Sequence, residues 1–229
     1  MKKGLFITFE GFEGSGKSTH AYKLYQILSK QGFGVILTKE PGGTPTGDKI
    51  REILLERQSA GLDYKAELLL FAASRSENVR KRIRPALDEG KIVISDRFFD
   101  STTAYQGYGR DIQMNHIHYL NQFAIEDVLP DITFFLDVDS KIGLERSKMF
   151  NKGKEMRFED EFLNEKYIEG KLFLDRVRDG YYHIAREEQG RIKIINANRK
   201  INVILHDIIE QLNVLLLKKY HKKIEMPIN

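Results

Sequence analysis

Gly11-Phe12-Glu13-Gly14-Ser15-Gly16-Lys17-Ser18-Thr19 is the stretch of this chain whose residue types and spacing are best suited to chemistry. It fits G-x-x-x-x-G-K-[ST] in full, directly after an apolar run and directly before a helical pattern. The glycines let the backbone curl so that its N–H groups point inward at phosphate oxygens, and the following helix N-terminus adds about half a positive charge. Lys17 is placed to reach the β- and γ-phosphates of a bound nucleotide, and the Ser18 hydroxyl to ligate Mg²⁺. Motors, switches and kinases all use such a loop, so the loop alone does not name a reaction.

A second chemical stretch, Asp96-Arg97-Phe98-Phe99-Asp100-Ser101-Thr102-Thr103-Ala104-Tyr105-Gln106-Gly107, begins where a third apolar run ends. Ligands of open parallel sheets bind outside the carboxyl ends of strands, so this segment should face the phosphate cradle. It closely resembles the thymidylate kinase signature D-R-[YF]-x-x-S-x-x-A-Y-Q-G. Further stretches match the same family: Lys39-Glu40-Pro41-Gly42-Gly43-Thr44 with Ile50-Arg51 soon after, Glu67-Leu68-Leu69-Leu70-Phe71-Ala72-Ala73-Ser74-Arg75, and Arg157-Phe158-Glu159. Together with the cradle the resemblance spans roughly residues 5 to 200.

The resemblance implies phosphoryl transfer from ATP–Mg²⁺ to dTMP, and a role for each matching residue. An acceptor dianion meets a polyphosphate only if cations neutralise both. Arg51 and Arg97 are accordingly expected as clamps on the acceptor phosphate through the planar guanidinium fork. Asp96 is expected near Mg²⁺, directly behind its ligands or through water, the alternative being a structural ion pair with Arg97; Asp137, at the end of the fourth strand run, could also serve near the metal, though the family does not single it out. Phe71 and Arg75, four apart on a helix, share a face: stacking on the pyrimidine is expected of Phe71, against core packing, and a hydrogen bond to carbonyl O4 of Arg75. Ser101, Tyr105 and Gln106 complete the nucleoside pocket, and Glu13 reaches the sugar 3′-OH. Arg146 is expected to pack on adenine, with Ala197 of Asn196-Ala197-Asn198 supplying backbone contacts.

A basic segment at about 147–158 resembles the lid of these kinases, whose closure would exclude water as a competing acceptor. The cradle carries no arginine after Glu13, since Gly14 stands there. The resemblance therefore assigns the catalytic lid cation to Lys152, in register with R-G-x-x-D-R through Gly153 and Arg157. The chain departs from the family pattern at Met156, where Asp is usual, at Ser74 for a common Asp, and at Asn78 for a common His.

These groups need a scaffold. The apolar, β-branched-rich runs Leu5 to Phe9, Val35 to Thr38, Ile92 to Ser95, Ile132 to Val138 and Ile192 to Ile195 alternate with long helical stretches. That pattern predicts an α/β domain: a five-stranded parallel sheet flanked by helices on both faces, the P-loop NTPase fold, over one domain of residues 1–229. Helices are expected after Gly16 to about Lys30, at Asp48–Glu56, at Asp63–Asp88 with a bend at Pro85, near Ser101, at Asn115–Asp127, Ser140–Met149, Phe158–Glu187 and Asn202–Tyr220. With 229 residues, no cysteine and no long apolar span, a cytoplasmic protein is expected, with neither a disulfide framework nor a cysteine metal site. Net charge is +4, and the basic tail at Lys218, Lys219, Lys222 and Lys223 reads as a solvated helix end rather than a nucleic-acid arm. The expected partners are ATP and dTMP, with no nucleic acid and no membrane, in a homodimer that the resemblance implies. Two other readings stand beside this one: a P-loop GTPase or regulatory ATPase, against which the missing Asn-Lys-x-Asp motif counts, and a deoxynucleoside kinase, against which Arg51 and Arg97 count.

Overall fold

A computed structural model describes residues 4–150 and 167–226. Among them β1 (Leu5–Glu10), β2 (Val35–Lys39), β3 (Ile92–Asp96), β4 (Ile132–Asp137) and β5 (Ile192–Asn196) form an all-parallel sheet in the order β2-β3-β1-β4-β5. β1 and β4 are buried along their whole length. That explains their lack of polar alternation: helices cover both faces, so every side chain must be apolar or paired. The largest cluster joins Phe9, Phe134, Phe135 and Ile94 to residues of α1 (Lys17–Lys30), α8 (Tyr167–Glu187) and α9 (Ile201–Tyr220). A second cluster on the sheet's other face packs Phe6, Val93 and Phe98 against Val79, Ile83 and Leu87.

Successive connections from β1 run first to one side of it and then, with β4, to the other. β1 and β3 are neighbours in register, Phe9 opposite Asp96, so the loops that follow them emerge side by side. This is where an open α/β sheet binds its ligand.

The remaining helices are α2 (Pro45–Ala60), α3 (Tyr64–Asn78), α4 (Arg84–Asp88), α5 (Phe99–Thr102), α6 (Met114–Ile125) and α7 (Ser140–Phe150). α2 extends beyond the expected Asp48–Glu56 at both ends. Asp63 caps α3, its side chain accepting from the Lys65 and Ala66 N–H groups. The bend expected at Pro85 appears as a π-helical turn over Val79–Ile83, where Arg84 N–H bonds back to Val79 C=O. Proline lacks the N–H for an i−4 bond and its ring crowds that carbonyl, so widening the preceding turn relieves both. A second π-helical stretch, Thr103–Gly109, carries Tyr105 and Gln106. The basic tail is mostly solvated, as expected, with Lys218, Lys222 and Lys223 exposed, and it also touches the body of the fold. Lys222 donates to the Gln31 carbonyl at the end of α1 and lies 4.8 Å from the Phe33 ring centroid, and Ile224 is buried. No described helix is long and apolar enough to cross a membrane.

Candidate active site

The cradle runs from the end of β1 into α1. Gly11, Gly14 and Gly16 have φ of +133°, +75° and +91°, a region L side chains rarely adopt. Gly14 has a second reason to be glycine: a Cβ there would stand 2.0 Å from the Gly143 carbonyl oxygen on α7. Lys17 curls back over the loop and its ammonium donates to the Phe12 carbonyl at 2.8 Å. Ser18, the first residue of the motif to face solvent, donates its hydroxyl proton to Asp96 Oδ2 at 2.5 Å. The other carboxylate oxygen, Oδ1, is buried with no hydrogen-bond partner among the described residues.

Arg97 follows β3 with a left-handed backbone, φ +74°. Its Nη1 donates to Gly11 C=O at 2.9 Å and to Ser101 Oγ at 3.2 Å, and its Nη2 to Tyr105 Oη at 3.4 Å. Arg51, on α2, donates to Pro41 C=O at 3.2 Å. Arg75 is buried, donating from Nε to Glu40 at 2.8 Å, from Nη1 to Asn121 at 2.9 Å, and from Nη2 to Phe98 C=O and the Thr102 hydroxyl. Burial raises the Glu40 carboxyl above its ordinary value, and Arg75 pulls the other way. Gln106 donates to Glu67 at 2.7 Å, and Arg110 grips both oxygens of the same buried carboxylate.

All of this converges on one cleft of about 1150 Å³. Glu13, Gly14, Gly16, Lys17, Ser18 and Thr19 line one end; Arg51, Phe71, Arg75, Asp96, Arg97, Ser101, Tyr105 and Gln106 line the rest. Phe71 is half-buried and faces the cleft rather than joining either apolar cluster. Arg146 and Ala197 are brought together, Arg146 Nη1 donating to Ala197 C=O at 3.0 Å, but neither belongs to the lining of this cleft. Of the expected lid, 147–150 ends α7, while Lys152, Met156 and Arg157 lie outside the described residues.

Asp137 is not placed for a metal. Arg178 takes both its oxygens, at 2.7 and 2.9 Å, and Tyr182 donates to it at 2.7 Å. Ser74 and Asn78, the departures from the family pattern, have work of their own. The Ser74 hydroxyl accepts Gly42 N–H at 2.9 Å, and Asn78 links Thr38 to Glu40. Arg82 was not singled out by its sequence position, yet it donates to Gly43 and Leu37 carbonyls and lines the cleft. Glu10, buried beneath Arg97, was also missed; an ionisable residue closing an apolar strand beside a phosphate loop was the available signal.

Comparison with known proteins bears on the same residues. The family model described as thymidylate kinase matches residues 9–208. A thymidylate kinase of Shouchella clausii is 43% identical over 95% of this chain and 98% of its own length, and one of Chlorobium luteolum is 46% identical over 91% and 97%. The crystal structure of thymidylate kinase from Ehrlichia chaffeensis superposes with a TM-score of 0.74 at 39% identity, covering 91% of this chain and 98% of that one. With an all-parallel sheet, a full phosphate cradle and matches of this extent, the chain belongs to the thymidylate kinase family.

Proposed function

We propose that the two ends of the cleft are the two halves of one phosphoryl-transfer site, holding ATP over the cradle and dTMP against Arg97. Membership of the family carries the reaction, transfer from ATP to dTMP. The observation that carries the residue assignment is the shared cleft, with Ser18 of the cradle touching Asp96 of the acceptor loop. The residues suit in-line transfer, which is chiefly positioning and charge neutralisation. Lys17 would move from the Phe12 carbonyl to the transferring phosphate. Arg97 and Arg51, both with N–H groups on backbone carbonyls at the cleft wall, would take the acceptor phosphate. Phe71 would stack on the base. Arg75 has four of its five N–H groups assigned to protein acceptors, which leaves one on Nη1 for a base carbonyl. Glu13 would meet the sugar 3′-OH. Arg146 and Ala197 would take adenine, and Lys152 the charge on the moving phosphoryl group.

Ser18 and Asp96 are the residues that would hold Mg²⁺; the solvent-facing hydroxyl and the orphaned Asp96 Oδ1 suit a hydrated cation. When bound, Mg²⁺ supplies neutralisation of the phosphate charge.

We read the protein as one kinase domain acting in the cytoplasm as a homodimer. The support for a dimer is an exposed apolar patch on packed helices α3 and α6: Leu69, Tyr119 and Phe123, the last two rings stacked at 6.4 Å. Coupled ADP release tests the function, run with dTMP, with thymidine and with no acceptor. Turnover confined to dTMP is expected. Turnover with thymidine but not dTMP would replace the reading by a deoxynucleoside kinase, and turnover with no acceptor by an ATPase.

A further inference from the structure

Among the described residues that line the cleft, Arg97 is the only non-glycine one with positive φ. It is one of four such non-glycine residues among those described, and the conformation persists only where its surroundings over-determine it. Arg97 N–H donates to Phe9 C=O at 2.9 Å, and the Ser95 hydroxyl donates to Arg97 C=O at 2.7 Å. The next peptide is held by a side chain: Phe98 N–H donates to Glu10 Oε1 at 2.7 Å. The other oxygen of that carboxylate, Oε2, accepts from the Ser101 hydroxyl at 2.5 Å and from the Tyr181 hydroxyl at 3.0 Å. Ser101 Oγ in turn accepts from Arg97 Nη1. One carboxylate therefore grips both the backbone after Arg97 and, through Ser101, its guanidinium.

Glu10 is fully buried on the last residue of β1, one position before the cradle. An ionised carboxylate there is expensive to desolvate. Burial, helped by the neighbouring Asp100, raises its pKa to about 7, against the pull of Ser101, Arg97 and Phe98 N–H. Asp100 is itself paired with Arg191, at 2.6 Å. A glutamine would fill the same space and still accept Phe98 N–H. It would present an N–H₂ donor to two hydroxyls that now donate, and would remove the charge facing Arg97. A residue serving packing alone would not need the acid.

From this arrangement we propose that Glu10 is a positioning residue for the acceptor-phosphate clamp, holding Arg97 in its left-handed pose and aiming its guanidinium through Ser101. The inference rests on the reading of Arg97 as that clamp. Glu10 touches no substrate atom; it acts on the phosphate end of the acceptor site and not on the base end.

Binding of dTMP and of thymidine, measured by calorimetry without ATP, separates these roles. Arg97→Ala should weaken dTMP and spare thymidine; if it spares both, the clamp reading fails and this inference with it. At pH 8, where the Glu10 carboxyl is ionised, Glu10→Gln should weaken dTMP by about tenfold, the scale of one charged hydrogen-bond network, and change thymidine less than twofold. Equal losses for the two ligands, or no loss for dTMP while Arg97→Ala is damaging, would overturn the inference and leave the clamp standing. If Glu10 works through Arg97, the double variant should bind dTMP no worse than Arg97→Ala alone; additive losses would overturn it. Should Glu10→Gln not fold, Tyr181→Phe carries the test. It keeps the ring and removes one donor from the same carboxylate, so dTMP should weaken about threefold with thymidine unchanged, and unchanged dTMP binding would count against the proposal.

Discussion

Lys17 already has its ammonium inside the loop, on the Phe12 carbonyl, so it needs little movement to meet a phosphate. Lys17→Ala should lower kcat by about 10²-fold or more, since a preorganised charge on the transferring group is removed; steady-state ADP release would show it, and near-normal kcat would take the cradle out of the mechanism. Arg75 is held more tightly still, its guanidinium locked by Glu40, Asn121 and Thr102. A donor so fixed cannot swing away from a mismatched base. The order dTMP, dUMP, then dCMP is therefore expected: loss of the methyl should cost about 1–3 kcal/mol, whereas the cytosine amino group facing an N–H should reduce kcat/KM by roughly 10³-fold or more. Comparable kcat/KM for dCMP and dTMP would refute the assignment of Arg75. The place of single residues in the cleft was legible where a motif named them. Glu10 and Arg82 were not, because what matters about them is which backbone groups they meet across the fold.

At the scale of elements, the cradle is wedged against α7 by glycine meeting glycine. Gly14 has no room for a Cβ beside Gly143, and a Cβ on Gly143 would stand 2.5 Å from the buried Phe12 ring and 3.0 Å from the Glu13 carbonyl. α7 also carries Arg146, which bonds to Ala197. Gly143→Ala should push helix and loop apart, raising KM for ATP about tenfold and lowering stability by roughly 1–3 kcal/mol through overpacking. Kinetics and denaturant unfolding would measure both effects, and dTMP binding without ATP should not change; unaltered KM for ATP would show that the wedge does not shape the donor site. The two π-helical turns act likewise. One precedes Pro85 and contains Arg82, the other contains Tyr105 and Gln106, all three residues of the cleft wall. A 3.6-residue periodicity gives no sign of such widened turns, whose cause lies in a proline downstream or in what the helix packs on.

For the molecule as a whole, two expectations follow. The stacked Tyr119 and Phe123 on α6 are exposed in the single chain. Phe123→Glu should convert a dimer to a monomer by light scattering; an unchanged mass would place the interface elsewhere or exclude one. The second concerns pH. The Glu10 carboxyl titrates near 4.5 when unfolded and about 7 when folded. Between those values the folded protein keeps a proton that the unfolded chain has released, so this group's contribution to stability falls as pH rises through the window and levels off above about 7. Glu10→Gln lacks that titration, so its stability relative to the parent should improve from pH 4.5 to pH 7. Unfolding midpoints in denaturant across that range would show it, and a constant difference would mean that Glu10 keeps an ordinary pKa in the fold.

The sequence by itself determined the sheet, its parallel sense and the family. Continuous apolar runs such as Leu5–Phe9 and Ile132–Val138 can be satisfied only between two layers of helices, and the cradle motif is a local code, its φ angles and helix start written in consecutive residues. Strand limits fell within a residue or so of expectation, whereas α2 and the bend before Pro85 did not, since tertiary contacts decide how far a helix runs. Only the tertiary structure decided which acids are available for chemistry. Asp96 and Asp137 both close a central strand, and in sequence only the signature that begins at Asp96 tells them apart. In the fold, Asp137 lies under α8, where Arg178 and Tyr182 consume both its oxygens, while Asp96 faces Ser18 with one oxygen unclaimed among the described residues. A carboxylate's role depends on the donors around it, and those donors come from elements 40 or more residues away along the chain.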